Sequence, residues 1–209
     1  ILNITPDSFS DGGLLFSNGR LDIGAVVERA QSMLEAGAAL LDNGGESSRP
    51  GAQPVSQDQE LQRVMPVLEA LSGLDTMISV DTYKPPVAAQ VLANGAHLIN
   101  DISGGRDPQM LEVIAASRGA YCIMHMQGEP RTMQEQPRYD DVVSEVAEFL
   151  AGQVASALEL GIGRERLLVD PGFGFGKSLQ HNLALLGRLR ELASLQVPLL
   201  VGLSRKRML

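Results

Sequence analysis

The chain has 209 residues and a formal net charge of −8, with 44% hydrophobic and 20% charged residues. That length and balance suit one globular domain with a sizeable core. They argue against nucleic acid as a main partner, and no apolar run approaches the ~20 residues that span a bilayer. The single cysteine, Cys122, lies in the apolar run Tyr121-Cys122-Ile123-Met124. It can form no intrachain disulfide, and it is expected to be a buried structural thiol in a reducing cytoplasm.

Ile1–Thr5 reads as a first strand. A Gly/Ser/Asp-rich loop follows it, running to about Arg20. Ile23, Val26, Val27, Ala30, Met33 and Leu34 repeat at the spacing of one buried helix face, and Gly37 closes that helix. Ala39–Asn43 is the second strand, followed by the polar loop Gly44–Val55. Ser56 and Gln59 form a capping box that opens a second helix, with Leu61, Val64, Met65 and Leu68 inward. Further strands are predicted at Met77–Asp81, His97–Asn100, Tyr121–His125, Leu167–Asp170 and Leu199–Gly202. Gly95, Gly119 and Gly161 are read, like Gly37, as left-handed helix ends. A helix is predicted to begin at Arg205.

Seven near-continuous apolar strands alternating with six helices predict a parallel α/β fold. This is either a doubly wound sheet or a (β/α)8 barrel. The first loop lacks G-x-G-x-x-G, which weakens the dinucleotide-binding version. A barrel places its chemistry at the C-terminal ends of successive strands, and every predicted strand ends polar. The ends are Asn3, Asp42, Asp81, Asn100-Asp101, His125, Asp170 and, after Gly202, Ser204-Arg205-Lys206. The expectation is therefore a (β/α)8 TIM barrel with seven of its eight strands in this chain. Such a ring of carboxylates and amides suits a flat ligand edge rich in N–H donors, as in an aminopyrimidinone. Arg49 and Lys206 are candidates for an anion; internal salt bridges with the acids are an equal alternative. Both long loops read as lids, with Phe9 either covering a ring or standing alone on the surface. His125 is a candidate base and equally a core histidine.

Together these motifs resemble the dihydropteroate synthase family. The resemblance rests on ILNITPDSFSDGG (1–13), GGESSRPG (44–51), SVDT (79–82), INDI (99–102), MHMQG (124–128), DPGFGFGK (170–177) and GLSRK (202–206), in the family's order. It implies a single pterin-binding TIM-barrel domain over residues 1–209. The implied reaction is condensation of 6-hydroxymethyl-7,8-dihydropterin diphosphate with p-aminobenzoate in the cytoplasm, with Mg2+ required. The resemblance also implies sulfonamide sensitivity and a homodimer in the full-length protein. Asp81, Asn100, Asp170 and Lys206 would hold the pterin, with Asp81, Arg49 and Lys206 at the catalytic centre. Asn3 would serve the metal and diphosphate, and Ser48 would contact substrate. Arg49, Pro50, Phe175 and Lys206 would border the aminobenzoate, and Phe9 and Asp11 would belong to the closing first loop. A pterin-binding methyltransferase would share the pocket but lack the PDSFSD and SRPG loops. A non-catalytic pterin-binding barrel would share the fold alone.

Asn43, Ser48, Tyr83 and Arg207 depart from the family pattern, which implies an aliphatic residue, a threonine and two small residues there. The eighth strand, with an Arg and a His for the diphosphate, is expected to lie outside these residues, so the 209-residue span alone is expected to fold poorly or lack activity. Arg207 is predicted to pair with the aminobenzoate carboxylate or to crowd it. Arg207→Ser should then shift the affinity for p-aminobenzoate or for a sulfonamide, measured by titration calorimetry; unchanged binding of both would refute it.

Overall fold

Near-continuous apolar runs fold here as parallel strands because both faces of the sheet are covered. The structure is a computed structural model that describes residues 1–5, 15–17, 20–48 and 51–204. The elements, in chain order, are β1 (Leu2–Asn3), β2 (Phe16–Ser17), β3 (Arg20–Leu21), α1 (Ile23–Glu35), β4 (Leu40–Gly44), α2 (Gln57–Leu71) and β5 (Met77–Asp81). There follow α3 (Pro85–Ala93), β6 (Leu98–Asp101), α4 (Pro108–Ala116), β7 (Ala120–Met124), α5 (Val142–Glu159), β8 (Leu167–Asp170) and α6 (Leu179–Gly187). One sheet runs β1-β4-β5-β6-β7-β8, with every pair parallel. Spatial order follows chain order throughout. A doubly wound sheet reverses its order at a switch point, so the α/β topology is that of a βα-barrel.

Three sequence expectations need correction. The strand predicted at Leu199–Gly202 is reduced, among the described residues, to one bridge between Leu199 and Val169. Its backbone bonds are Val169 N to Pro198 O and Leu200 N to Val169 O. The first loop ends in an antiparallel hairpin of β2 and β3 that the sequence did not announce. Gly119 is not a left-handed helix end. A Cβ there would press on Leu92 Cδ2 at 2.3 Å, the mobile end of a side chain. The other three expected helix-end glycines do have positive φ. The capping box at Ser56 and Gln59 also forms, each side chain meeting the other's backbone N–H.

Strand residues alternate between faces, and the register sorts them into rows. Leu2, Asn43, Val80, Ile99, Tyr121 and Leu167 lie side by side. All are buried, and all but Asn43 join the main core, with Val67, Leu68, Val87, Ile114 and Leu150 of the helices. This is the helix-facing side. The opposite row reads Asn3, Gly44, Asp81, Asn100, Cys122 and Leu168, with Asp42 and Ser79 below it and Met124 and Asp170 above. That row is the inner face.

Asn43 is thus an amide in an apolar row, 1% exposed. Its Nδ2 donates to Ser79 O at 3.3 Å, while its Oδ1 is buried with no hydrogen-bond partner among the described residues. An unpaired buried acceptor costs about 1–3 kcal/mol. Asn43→Val should therefore raise the urea midpoint, by a stabilisation of about 1 kcal/mol. It should leave turnover unchanged, since the side chain faces away from the inner row.

Candidate functional site at the inner strand ends

The inner face collects its polar groups because parallel strands in register place like parities together. Asp81 stands in register between Gly44 and Asn100, and Asn3 is aligned with the same Gly44. Asn100 Nδ2 donates to Asp81 Oδ1 at 2.5 Å. Asn100 Oδ1 and Asp42 Oδ1 are buried without a hydrogen-bond partner among the described residues. Asp170 is 5% exposed, and its Oδ1 accepts the N–H of Gly172 at 2.7 Å.

These carboxylates crowd one another. Burial, followed by repulsion from Asp42, pushes the Asp81 carboxyl well above the usual carboxylate range. Asp170 adds to the shift, and the Asn100 hydrogen bond opposes it. Burial raises Asp42 as well. Cys122, in the same row, is buried as expected. Burial and then the neighbouring carboxylates hold its thiol far above its ordinary value, so it stays protonated. Such a face favours a ligand that donates hydrogen bonds or carries positive charge.

Loop Gly44–Val55 brings a second wall. Ser48, Asp81, Thr82, Tyr83, Ile102 and Pro130 line one small pocket. Ile102 also packs with Phe175 on a cluster of Met124, Met126 and Met133. An apolar, polarisable surface for a flat ring therefore adjoins the carboxylates. A larger recess, of about 280 Å3, lies on the helix side of β1 against α1 and plays no part here.

The loop after β8 is built around a buried cation. Gly172 and Gly176 have φ of 68° and 61°, and a Cβ on them would lie 1.9 Å from His125 O and 2.4 Å from Gln127 O. Only glycine permits both the turn and the approach. The carbonyls so turned inward meet Lys177, which is 3% exposed. Its Nζ donates to Gly172 O and Phe175 O, both at 3.0 Å, and lies 2.9 Å from His125 Nδ1. Burial, then the charges of Lys177 and Arg106, lower the His125 pKa to about 3. The ring packs against Phe149 of α5, at 5.1 Å between centroids. Of its two sequence readings, His125 is the core histidine: a neutral spacer on the helix-facing side.

The structure therefore brings Asn3, Asp81, Asn100 and Asp170 onto one face, with Ser48 and Phe175 on adjoining walls. Phe9, Asp11, Arg49, Pro50, Lys206 and Arg207 lie outside the described residues. Asp101 proves separate from Asn100. Fully buried on the helix side, it accepts from Ser103 N, Gly105 N and Tyr121 Oη at 2.7, 2.9 and 2.6 Å. Strand alternation alone would have parted the two. Lys177 and the methionine cluster escape a reading of residue types. Lys177 does carry one signal, since it closes a run of alternating glycines.

A family model described as pterin binding enzyme matches residues 1–209. The chain is 52% identical to dihydropteroate synthase of Escherichia coli K12 over 210 residues, covering 100% of this chain and 73% of the relative. It is 47% identical to that of Haemophilus influenzae, covering 100% and 74%. Among solved structures, a Yersinia pestis dihydropteroate synthase in complex with a sulfonamide drug superposes with a TM-score of 0.93 at 48% identity, covering 99% and 74%. One from Thermus thermophilus, in complex with 4-aminobenzoate, gives 0.85 at 47% identity, covering 99% and 72%.

Because the folded Asp81 carboxyl binds its proton more tightly than the unfolded chain does, its share of stability is full at low pH. That share is lost as pH rises from the ordinary aspartate value through the folded one. Asp81→Asn should therefore stabilise the protein at pH 7 by on the order of 1 kcal/mol, about 2–4 °C in melting temperature. It should flatten the pH dependence of melting and weaken ligand binding at the inner face. A lower melting temperature at pH 7 would contradict this.

Proposed function

The chain belongs to the pterin-binding enzyme family, among the dihydropteroate synthases, and we propose how its residues divide that reaction. It is a transferase of folate biosynthesis, joining 6-hydroxymethyl-7,8-dihydropterin diphosphate to p-aminobenzoate with release of diphosphate. The observation that carries the division of roles is the inner face of Asn3, Asp81, Asn100 and Asp170, where burial and crowding push the Asp81 carboxyl well above the usual carboxylate range. A pterin offers an NH2 beside a ring N–H, donors for Asp170 and for Asn100 Oδ1, which has no hydrogen-bond partner among the described residues. Asp81 and Lys206 complete the grip. Met124, Ile102 and Phe175 supply the apolar surface beside it.

The bond between the pterin methylene and the diphosphate oxygen breaks, and its electron pair leaves with the oxygen. The electron-rich pterin stabilises the cationic methylene. The arylamine nitrogen donates its lone pair to that carbon and then sheds a proton to diphosphate or water. The protein needs no nucleophile for this. It orients two rings, excludes water and disperses the departing charge. Arg49, Pro50, Phe175 and Lys206 border the arylamine, Ser48 contacts substrate, and Phe9 and Asp11 belong to the loop that closes. Sulfonamides, which share the arylamine's shape, compete at the same subsite.

Mg2+ belongs to the same reading. Among the described residues no three His, Cys, Asp or Glu side chains converge as a metal cage. Mg2+ commonly keeps its waters and substrate phosphates with only one or two protein oxygens, so a single amide oxygen fits. Asn3 would hold the ion, which when bound supplies charge neutralisation to the diphosphate. A cytoplasmic location accords with the buried free thiol of Cys122, and homodimerisation follows from the family resemblance.

Diphosphate release from the dihydropterin substrate by the full-length protein, measured with and without p-aminobenzoate, tests the assignment. Release should rise with the arylamine and match dihydropteroate formed. A methyltransferase would release none, a non-catalytic barrel would bind the pterin without turnover, and release indifferent to the arylamine would reject the synthase.

A further inference from the structure

The loop that leaves β4 is tied down residue by residue. Gly44 still pairs with Asp81 in the sheet. The carbonyl of Gly45 accepts Arg63 Nη1 at 2.7 Å. Glu46 then makes two different bonds: its Oε1 accepts the phenol of Tyr83 at 2.8 Å, and its Oε2 pairs with the ammonium of Lys84. Lys84 also bridges to Glu60 Oε2 at 2.5 Å and stands 4.6 Å from the centroid of the Tyr83 ring.

These two bonds respond differently if the loop moves. Lys84 keeps a carboxylate, since Glu60 is fixed in α2. The Tyr83 phenol loses its carboxylate acceptor. Both bonds resist displacement of Glu46, but only the Tyr83 phenol would be left with no carboxylate in exchange. Tyr83 also lies two residues beyond Asp81 and shares a pocket with Ser48. Its ring thus connects the turn that carries an inner-face carboxylate with the loop that carries the opposite wall. The small residue that the family resemblance implies at this position would supply no such bond.

We propose that Tyr83 is a positioning residue that sets this protein's acceptor specificity: its phenol latches Glu46 and so holds Ser47 and Ser48 in place over the pocket. The inference rests on the synthase reading for the identity of the acceptor, an arylamine. The latch itself rests on geometry alone. A latched wall is pre-organised, so the acceptor does not have to order it on binding.

The test is Tyr83→Phe, which keeps the ring and removes only the hydroxyl. KM for p-aminobenzoate should rise about fivefold, the scale of one net hydrogen bond. KM for the dihydropterin diphosphate and kcat should stay within about twofold of their starting values, since the ring beside Asp81 is kept and the hydroxyl removed bonds to Glu46. Amide hydrogens of Glu46, Ser47 and Ser48 should exchange about fivefold faster. On a Glu46→Ala background, Tyr83→Phe should add nothing further to either readout, because the two groups act as one unit. Unchanged exchange overturns the latch. Faster exchange with an unchanged arylamine KM overturns the specificity role. Equal rises in both KM values with a lowered melting temperature reduce Tyr83 to a stabilising residue. All of these measurements use the full-length protein; if its unsubstituted form shows no arylamine-dependent turnover, the synthase reading fails instead, and the exchange measurement alone decides the latch.

Discussion

Asp42, Asp81 and Asp170 share the inner face of one sheet, where burial and mutual repulsion make negative charge expensive. Everything else in the site answers that constraint. The described helices pack on the other face, where the main hydrophobic core lies. Asn100 commits its donor to Asp81, and among the described residues its acceptor has no partner. A ligand with adjacent N–H groups relieves this crowding, and binding gains from groups that folding alone leaves unsatisfied.

The loops around that face are held by bonds to other residues of each loop, which sets Ser48 on the pocket wall and Phe175 beside Ile102. After β8, Lys177 gathers inward-turned carbonyls. Tyr139 Oη and Gln134 Nε2 reach the same loop at Gly176 O and Gly174 O, at 2.8 and 2.6 Å. After β4, the Arg63, Tyr83 and Lys84 bonds do equivalent work. Two walls of the pocket thus stand on rigid supports, as a reaction governed by orientation of two rings requires. The Lys177 ammonium has a second consequence. With burial as the larger cause, its charge disfavours protonation of His125, whose place on the helix side follows from strand alternation.

The departures from the family pattern have unequal meaning. Asn43 faces the core and acts on stability alone. Tyr83 faces the site and changes how a wall is held. Both are single polar insertions at places where the resemblance implies smaller or apolar residues. Strand parity and helix position decide which effect each has, and residue type does not.

Much of this was legible in the chain. Apolar runs buried on both faces, alternating with amphipathic helices and closed by caps such as Ser56–Gln59, determined a parallel α/β fold, because these signals are local. The polar strand ends Asn3, Asp81, Asn100 and Asp170 were equally visible. What only the tertiary structure decided depends on register and on contacts between distant segments. Register put Asn100 inside and its neighbour Asp101 outside. Lys177 met His125 across 52 positions, and Glu46 met Tyr83 across 37. The seventh strand shrank to a bridge because pairing depends on neighbours as well as on an apolar run. A side chain's identity sets what it can bond, but the fold chooses its partner, and burial then sets how much that bond is worth.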